Sequence, residues 1–319
     1  MNKQSILSVV SKALGLLGLL GLLGMAACAP EFDPVSRIVT FRVLAQQTDV
    51  PFAKPGETVN ITSLSYDPQG RTVNWAWAAC VNPDESTVQG CLNKIGGDAA
   101  QSGASPILAQ GAGMSDFSYT VPDDALSSLP VQARPGAHVG IISIACPGDL
   151  SFDEGSNNLP FSCKEAGTGR SFGLDEYIVG MKRIQVRESD RNQNPVIEQV
   201  TFDGAAWPEG DVKTVSACDT DGNDYKPCAD LSKHKISVRP TAASTESGTT
   251  EFGVAFTEQV IIEYYATDGV WEYEVKIASS PETGWAARKA ASGKDLTLWM
   301  VVHDDRGGAS WAQRQVHVQ

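Results

Sequence analysis

The residues best equipped for chemistry in this chain are Asp219-Thr-Asp-Gly-Asn-Asp224. Asp219, Asp221, Asn223 and Asp224 place oxygen donors around Gly222, which permits a sharp bend, and hard cations such as calcium take ligands of this kind. The order departs from Asp-x-Asp-x-Asp-Gly, and position 12 of the loop is Asp230 rather than a bidentate Glu. Asp-Gly is also a favoured turn pair, so a polar hairpin tip is the plainer alternative. Asp304 and Asp305 beside His303 form a second set, of the kind acid–base work uses. Their place between two strands makes a solvated turn the expectation. His138, His234 and His317 are scattered, and no His-x-His, His-Glu-x-x-His or Gly-x-Ser-x-Gly pattern occurs. No phosphate-cradling glycine loop occurs either. The expectation is a chain without catalytic residues and without a cofactor, calcium excepted.

Six cysteines fall as three local couples, Cys80 with Cys91, Cys146 with Cys163, and Cys218 with Cys228, each closing a loop rich in Gly, Asp or Asn. No Cys-x-x-Cys and no nearby His at ligand spacing supports a metal site. Three disulfides are expected, which an oxidising compartment permits. Aromatic platforms are a further kind of site. Trp207, Trp285 and Trp311 fall near loops or strand ends, where exposed rings stack on sugars or anchor interfaces. Trp285 and Trp311 are the candidates for such binding, against the alternative that they cap sandwich edges. Trp75, Trp77 and Trp271 are expected in the core.

The start of the chain decides where this chemistry would operate. Lys3 and Lys12 precede a short apolar run, and Met25-Ala26-Ala27 precede Cys28, the layout of a secretory signal. Ala13 to Ala27 is 15 residues, short of the roughly 20 a bilayer-spanning helix requires. Loss of residues 1–27 removes two lysines and no acid, taking the formal net charge from −13 to −15. Such a body repels nucleic acid and anionic membrane.

Strands must position these groups. Residues 28–36, with Pro30 and Pro34, read as a tether. From residue 37 the pattern alternates: Val39, Phe41 and Val43, then Val59 and Ile61, then Val73, Trp75 and Trp77 after the turn Asp67-Pro-Gln-Gly70. Phe117, Tyr119 and Val121 alternate again, and Val139 to Cys146 is nearly continuous apolar, as a central strand is. Ile178 to Val186 closes the series, with Arg183, Gln185 and Arg187 turned outward. No convincing helical period appears. The polar run 190–195 is read as a linker. A second series then follows: Val196 to Phe202, Lys235 to Val238, Val260 to Tyr265, Leu296 to Val302 and Trp311 to Val318. Between Asp268-Gly269 and Ile277, Trp271, Tyr273, Val275 and Ile277 alternate with charges, the clearest amphipathic strand in the sequence. The expected fold class is all-β, with two tandem immunoglobulin-like β-sandwiches, 37–189 and 196–319, after a signal peptide.

Two motifs carry a resemblance. Tyr66-Asp-Pro-Gln-Gly-Arg-Thr-Val-Asn-Trp-Ala-Trp77 and Leu298-Trp-Met-Val-Val-His-Asp-Asp-Arg-Gly-Gly308 resemble bacterial immunoglobulin-like domains of the polycystic-kidney-disease (PKD) and related types. The first is similar to their Asp-Pro-x-Gly turn before a tryptophan strand, the second to their terminal hairpin, with His303 where an arginine is more usual. Met25-Ala-Ala-Cys28 resembles the lipobox of bacterial lipoproteins, with Met25 in place of the usual Leu. Together with Pro55-Gly-Glu-Thr-Val59, Trp77 three residues before Cys80, Glu263-Tyr-Tyr-Ala-Thr-Asp-Gly269 and Arg306-Gly-Gly-Ala-Ser-Trp311, the arrangement is similar to a set of myxobacterial and related deltaproteobacterial lipoproteins. The resemblance implies lipidation at Cys28 and membrane attachment through that lipid. Ala29, which is not the aspartate of inner-membrane retention, favours the outer membrane. The functional expectation is a non-enzymatic envelope lipoprotein with a protein partner in a surface assembly or adhesion. The alternatives are a carbohydrate-binding module and an envelope hydrolase.

Overall fold

The computed structural model describes residues 33–103, 105–152 and 161–319. The expected signal segment, Cys28 and residues 29–32 lie outside the described residues. Val35–Gln319 forms one compact unit.

The first half contributes β1 (Arg42–Thr48), β2 (Phe52–Ala53), β3 (Thr58–Tyr66), β4 (Asn74–Val81), helix α1 (Val88–Ser102), β5 (Ala109–Ala112), β6 (Asp116–Thr120), β7 (His138–Cys146), β8 (Asp149–Phe152), β9 (Phe161–Lys164) and β10 (Ile178–Val186). The second contributes β11 (Ile197–Phe202), β12 (Ala205–Ala206), β13 (Val212–Val215), β14 (His234–Pro240), β15 (Ser247–Thr249), β16 (Ala255–Thr257), β17 (Val260–Ala266), β18 (Val270–Trp271), β19 (Val275–Ile277), β20 (Thr283–Ala286), β21 (Asp295–Asp304) and β22 (Ala309–Val318).

Each half is a β-sandwich, and the two share one plan. A five-stranded sheet runs β2-β10-β7-β4-β5 in the first and β13-β22-β21-β17-β19 in the second. The facing sheets are β1-β3-β6 and β12-β11-β14-β20-β18. In both halves a short early strand joins the last strand in parallel, β2 to β10 and β13 to β22, while the other pairings are antiparallel. The fold is all-β, as the alternation predicts. Trp75 and Trp77 sit in the first core beside Ile61, Ile141 and Val186. Trp271 and Trp285 sit in the second beside Tyr264 and Met300.

The near-continuous apolar strands have two buried faces. In β7, Val139, Ile141 and Ala145 enter the first core, while Ile142 and Ile144 face a second cluster with Ile95, Cys80 and Cys91. In β21, Leu298, Met300 and Val302 enter the second core. Trp299 and Val301 point the other way, onto Leu44, Leu64 and Tyr66 of the first sandwich. The Tyr66 and Trp299 rings lie 4.9 Å apart.

The cover over β7 is a departure from the sequence reading. Val88–Ser102 is an α-helix, although its glycines are poor helix formers. Thr87 caps it by accepting from Gly90 N at 2.9 Å. Gly103 ends it in the left-handed region at φ 68. At Gly90 a Cβ would collide with the Glu85 carbonyl. The Cys80–Cys91 disulfide ties the helix to β4, and burial of Ile95 completes the contact. Tertiary anchoring, rather than propensity, makes this helix.

A second departure concerns 271–277. The alternating residues do not form one strand. Val270–Trp271 pairs with β20 in one sheet, and Val275–Ile277 pairs with β17 in the other. Trp271 is buried, but Tyr273, Val275 and Ile277 are 57%, 55% and 53% exposed. The chain crosses between sheets at Tyr273, so the alternation spans two environments.

Candidate functional site

The three expected disulfides are present: Cys80–Cys91, Cys146–Cys163 and Cys218–Cys228. The last holds the base of the acidic loop, with Tyr225 buried beside it.

Within that loop the oxygen donors are engaged one by one. Asn223 Oδ1 accepts from Arg37 Nη1 at 2.7 Å. Asp221 Oδ1 accepts from Ala290 N at 2.5 Å, and its carbonyl accepts from Arg288 Nη1 at 3.1 Å. Asp224 Oδ1 accepts from Lys226 N at 3.0 Å, closing its own turn. Asp219 is exposed. Among the described residues no three His, Cys, Asp or Glu side chains form a metal-holding group. In this geometry the loop docks Arg37 and residues 288–290.

The His303-Asp304-Asp305 set does not converge. Strand alternation turns His303 to the outer face, where Nε2 lies 3.7 Å from Glu263. Asp304 turns inward and is buried, which corrects the expectation of a solvated turn. Its Oδ1 accepts from Gly308 N at 2.7 Å and Arg306 N at 2.9 Å, and its Oδ2 accepts from Asn192 Nδ2 at 3.2 Å. Asp305 Oδ1 accepts from Gln259 N at 3.2 Å.

Asn192 belongs to the stretch read as a linker, and the whole stretch is fastened to both halves. Asn194 donates to the Thr48 carbonyl at 2.6 Å and accepts from Ala309 N at 2.9 Å. Arg191 reaches Glu57 at 2.7 Å. Glu251 accepts from Ser189 N and Asp190 N at 2.7 and 3.0 Å, and these bonds hold its carboxyl below the ordinary range against the opposing effect of burial. Lys182 of β10 donates to the Gly307 carbonyl at 2.7 Å. Burial pushes its ammonium pKa down to about 8, with Asp304 acting in the opposite direction.

Beside this joint runs a ladder of rings and guanidinium groups. Arg187 lies over Phe52 and Phe252, each at 5.4 Å. Arg306 lies over Phe52 at 4.6 Å and Phe256 at 3.8 Å, and pairs with Glu258 at 3.0 Å. Such contacts strengthen where water is excluded. Arg187 is therefore buried, a correction to its expected outward position; it donates to the Pro135 and Val186 carbonyls at 2.9 and 2.7 Å. A cavity of about 490 Å³ opens along the ladder, lined by Arg183, Phe252, Val254 and Arg306 among others.

The N-terminal end of the body also crosses the joint. Ile38 N donates to Ala266 O at 2.9 Å, and Ala266 N donates to Ser36 O at 2.8 Å. Ser36, the last residue of the expected tether, is thus built into the second sandwich.

The tryptophans do not form platforms. Trp285 and Trp207 are fully buried, which corrects the reading of Trp285 as a binding residue. Trp311 is half-buried and packs in the cluster between the sandwiches. The exposed aromatic the sequence reading overlooked is Tyr273, on the sheet edge with Val275 and Ile277. The alternation over 271–277 includes Tyr273 but does not say which face of the stretch is covered.

No protein-family model matches this sequence, and no curated protein matches it. Among solved structures, the chain is similar to a nucleoside hydrolase-related protein from Saccharophagus degradans that is associated with carbohydrate metabolism. That likeness has 12% identity and a TM-score of 0.23, and covers 41% of this chain and 28% of that one. It is also similar to dimeric latent PorU from Porphyromonas gingivalis, at 11% identity and a TM-score of 0.21, over 88% of this chain and 24% of that one. The D0-D1 domain of intimin is similar at 9% identity and a TM-score of 0.21, over 86% of this chain and 98% of that one. The chain thus spans about a quarter of the length of the first two. The fold assignment rests on the strand order itself.

Proposed function

We propose that this protein is a non-enzymatic cell-envelope lipoprotein. A lipid on Cys28 holds it at the outer membrane, and its two immunoglobulin-like sandwiches serve protein–protein contact in a surface assembly or adhesion. The reading joins the resemblance at Met25-Ala-Ala-Cys28 and at the two PKD-like motifs to one structural observation, the joint. Asn192, Asn194, Asp304, Lys182 and the Arg187–Arg306 ladder clamp the sandwiches into one body. A clamped pair presents its surfaces at fixed spacing, which favours recognition of a partner because little ordering is left for binding to impose.

Crosslinking on intact cells followed by mass spectrometry tests the reading, with Cys28→Ala as the control for attachment. Reproducible protein neighbours are expected for the wild type, with release of the variant from the membrane fraction. A protein with no reproducible neighbour, or one whose membrane attachment survives Cys28→Ala, contradicts the proposal.

A further inference from the structure

The N-terminal segment is fastened to one end of the second sandwich, and that end carries the two most exposed leucines among the described residues. Ser36, Arg37 and Ile38 are all buried. Arg37 forms a parallel bridge with Ala266, the last residue of β17, and the backbone groups of Ser36 and Ile38 both bond to Ala266. Ser36 Oγ donates to Glu274 Oε1 at 2.6 Å, and Arg37 Nη1 donates to Asn223 Oδ1 in the loop closed by Cys218–Cys228. Ile38 packs with Leu44, Trp299 and Val301 between the sandwiches. The point where the tether enters the body is therefore fixed by side chains as well as backbone.

Strand direction gives each sandwich a joint end and an opposite end. β17 runs from Val260, paired with Asp304 at the joint, to Ala266, paired with Leu298. β10 runs from Ile178 to Val186, which leads into the 190–195 clamp, so Ile178 lies opposite the joint. β14 starts at His234 and finishes at Pro240, which pairs with Ile197 directly after the clamp, so His234 also lies opposite the joint. Leu174 precedes β10, and its neighbour Phe172 packs on Cys146, the last residue of β7. Leu231 precedes β14, and its neighbour Ser232 donates to Ala217 O beside the Cys218–Cys228 loop. Both leucines thus fall on the tether end, one from each sandwich, and they are 86% and 89% exposed. A large apolar side chain held that far out of a turn has no partner within the body and is suited to a lipid surface.

Covalent geometry limits which end can meet a membrane. From Cys28 to Ser36 the chain spans at most about 28 Å when fully extended, and about 20 Å of strand separates Ala266 from the joint end of β17. A lipid on Cys28 brings the Ala266 end to the bilayer without stretching the chain. Contact by the joint end would draw the tether nearly straight, at a cost in chain entropy. Asp175 and Asp230 are exposed beside the leucines, and Asp219 and Asp221 share this end with Lys226 and Lys289. These acids oppose contact with anionic lipid, so the anchor rather than charge brings the end to the membrane, and only the leucine tips enter it. We propose that the Ala266 end of the body rests on the membrane, with Leu174 and Leu231 entering the lipid surface, and that the joint with its cavity faces away from it. The inference rests on the anchor reading above and deepens it, because it names the surface that meets lipid and the surface left to a partner.

The test uses the full-length chain, purified from membranes and reconstituted into vesicles of phosphatidylethanolamine and phosphatidylglycerol. A photoreactive benzoylphenylalanine replaces one residue at a time. Leu174 and Leu231 probe the tether end, and Val196 and Val254, which are also exposed, probe the joint end. All four are surface positions, so each variant should keep the wild-type melting temperature. After irradiation, mass spectrometry should find phospholipid adducts at Leu174 and Leu231 at least tenfold more abundant than at Val196 and Val254. Equal adducts at the two ends, or none at Leu174 and Leu231 in a chain that floats with the vesicles, overturns the proposal and leaves the anchor standing. A chain that does not float with the vesicles removes the anchor, and the docking end with it.

Discussion

Replacing Lys182 by Met should abolish a pH dependence of stability that the wild-type chain carries in the alkaline range. The Lys182 ammonium is held at the joint, where it donates to Gly307 O at 2.7 Å, and burial lowers its pKa from 10.5 to about 8. Asp304 nearby opposes that shift without cancelling it. Below pH 8 both folded and unfolded chains bind this proton, and the folded state bears the cost of an ammonium withdrawn from water. Between 8 and 10.5 the unfolded chain keeps a proton that the folded chain has released, so stability rises with pH. At 1.36 kcal/mol per unit, the gain from neutral pH to about pH 9.5 is on the order of 2 kcal/mol. Other groups interfere little in this window. Carboxylates are already ionised, and the pKa values of Tyr225, Tyr264 and Tyr265 are raised by burial. Urea unfolding followed by tryptophan fluorescence, at several pH values from about 7 to 9.5, measures the effect. Wild-type stability should climb relative to Lys182→Met. Parallel curves for the two proteins would refute the reasoning.

Asp304→Ala leaves Gly308 N, Arg306 N and Asn192 Nδ2 without their shared acceptor, so a loss of roughly 3–5 kcal/mol is expected in the same urea assay. Trp285→Ala empties a fully buried site and should lower stability by roughly 3–5 kcal/mol, with no specific effect on glycan-array binding. Cys80→Ser paired with Cys91→Ser releases α1 from β4 and should cost about 2–4 kcal/mol, and exhaustive reduction of the wild type should add six hydrogens by intact mass. The melting temperature should be the same in chelator and in millimolar calcium, because Asp221, Asn223 and Asp224 are each committed to a separate hydrogen bond. A rise of several degrees with calcium would restore the acidic loop as a cation site.

Much of the architecture was legible in the sequence. Ile178–Val186 is a strand at the predicted bounds, and Val139 to Cys146 and Leu296 to Val302 are central strands. The cysteine couples were legible because short loop separations bring only neighbours within bonding reach. The helix α1 was not, since its glycines obscure any period and a disulfide does the anchoring. The division of 271–277 between two sheets was not legible, because an alternating pattern does not say where the chain changes its pairing partner. Trp285 was misplaced for a related reason: closeness to a loop in sequence says nothing about depth in space.

Alternation, turn residues and cysteine spacing determine the strands, their order and the covalent ties, because each is set by neighbours along the chain. The acidic balance and the basic-apolar-small opening are equally local properties. The tertiary structure alone decided the roles of the polar groups. Asp304 became a buried acceptor, the 190–195 run a clamp, and Arg187 a rung between two phenylalanines. Each outcome depends on a partner more than fifty residues away, as with Asn192 and Asp304, whose separation in sequence is 112. A side chain's partner across such a distance is settled only when the sheets pack, since packing determines which polar groups lose water and must find one another.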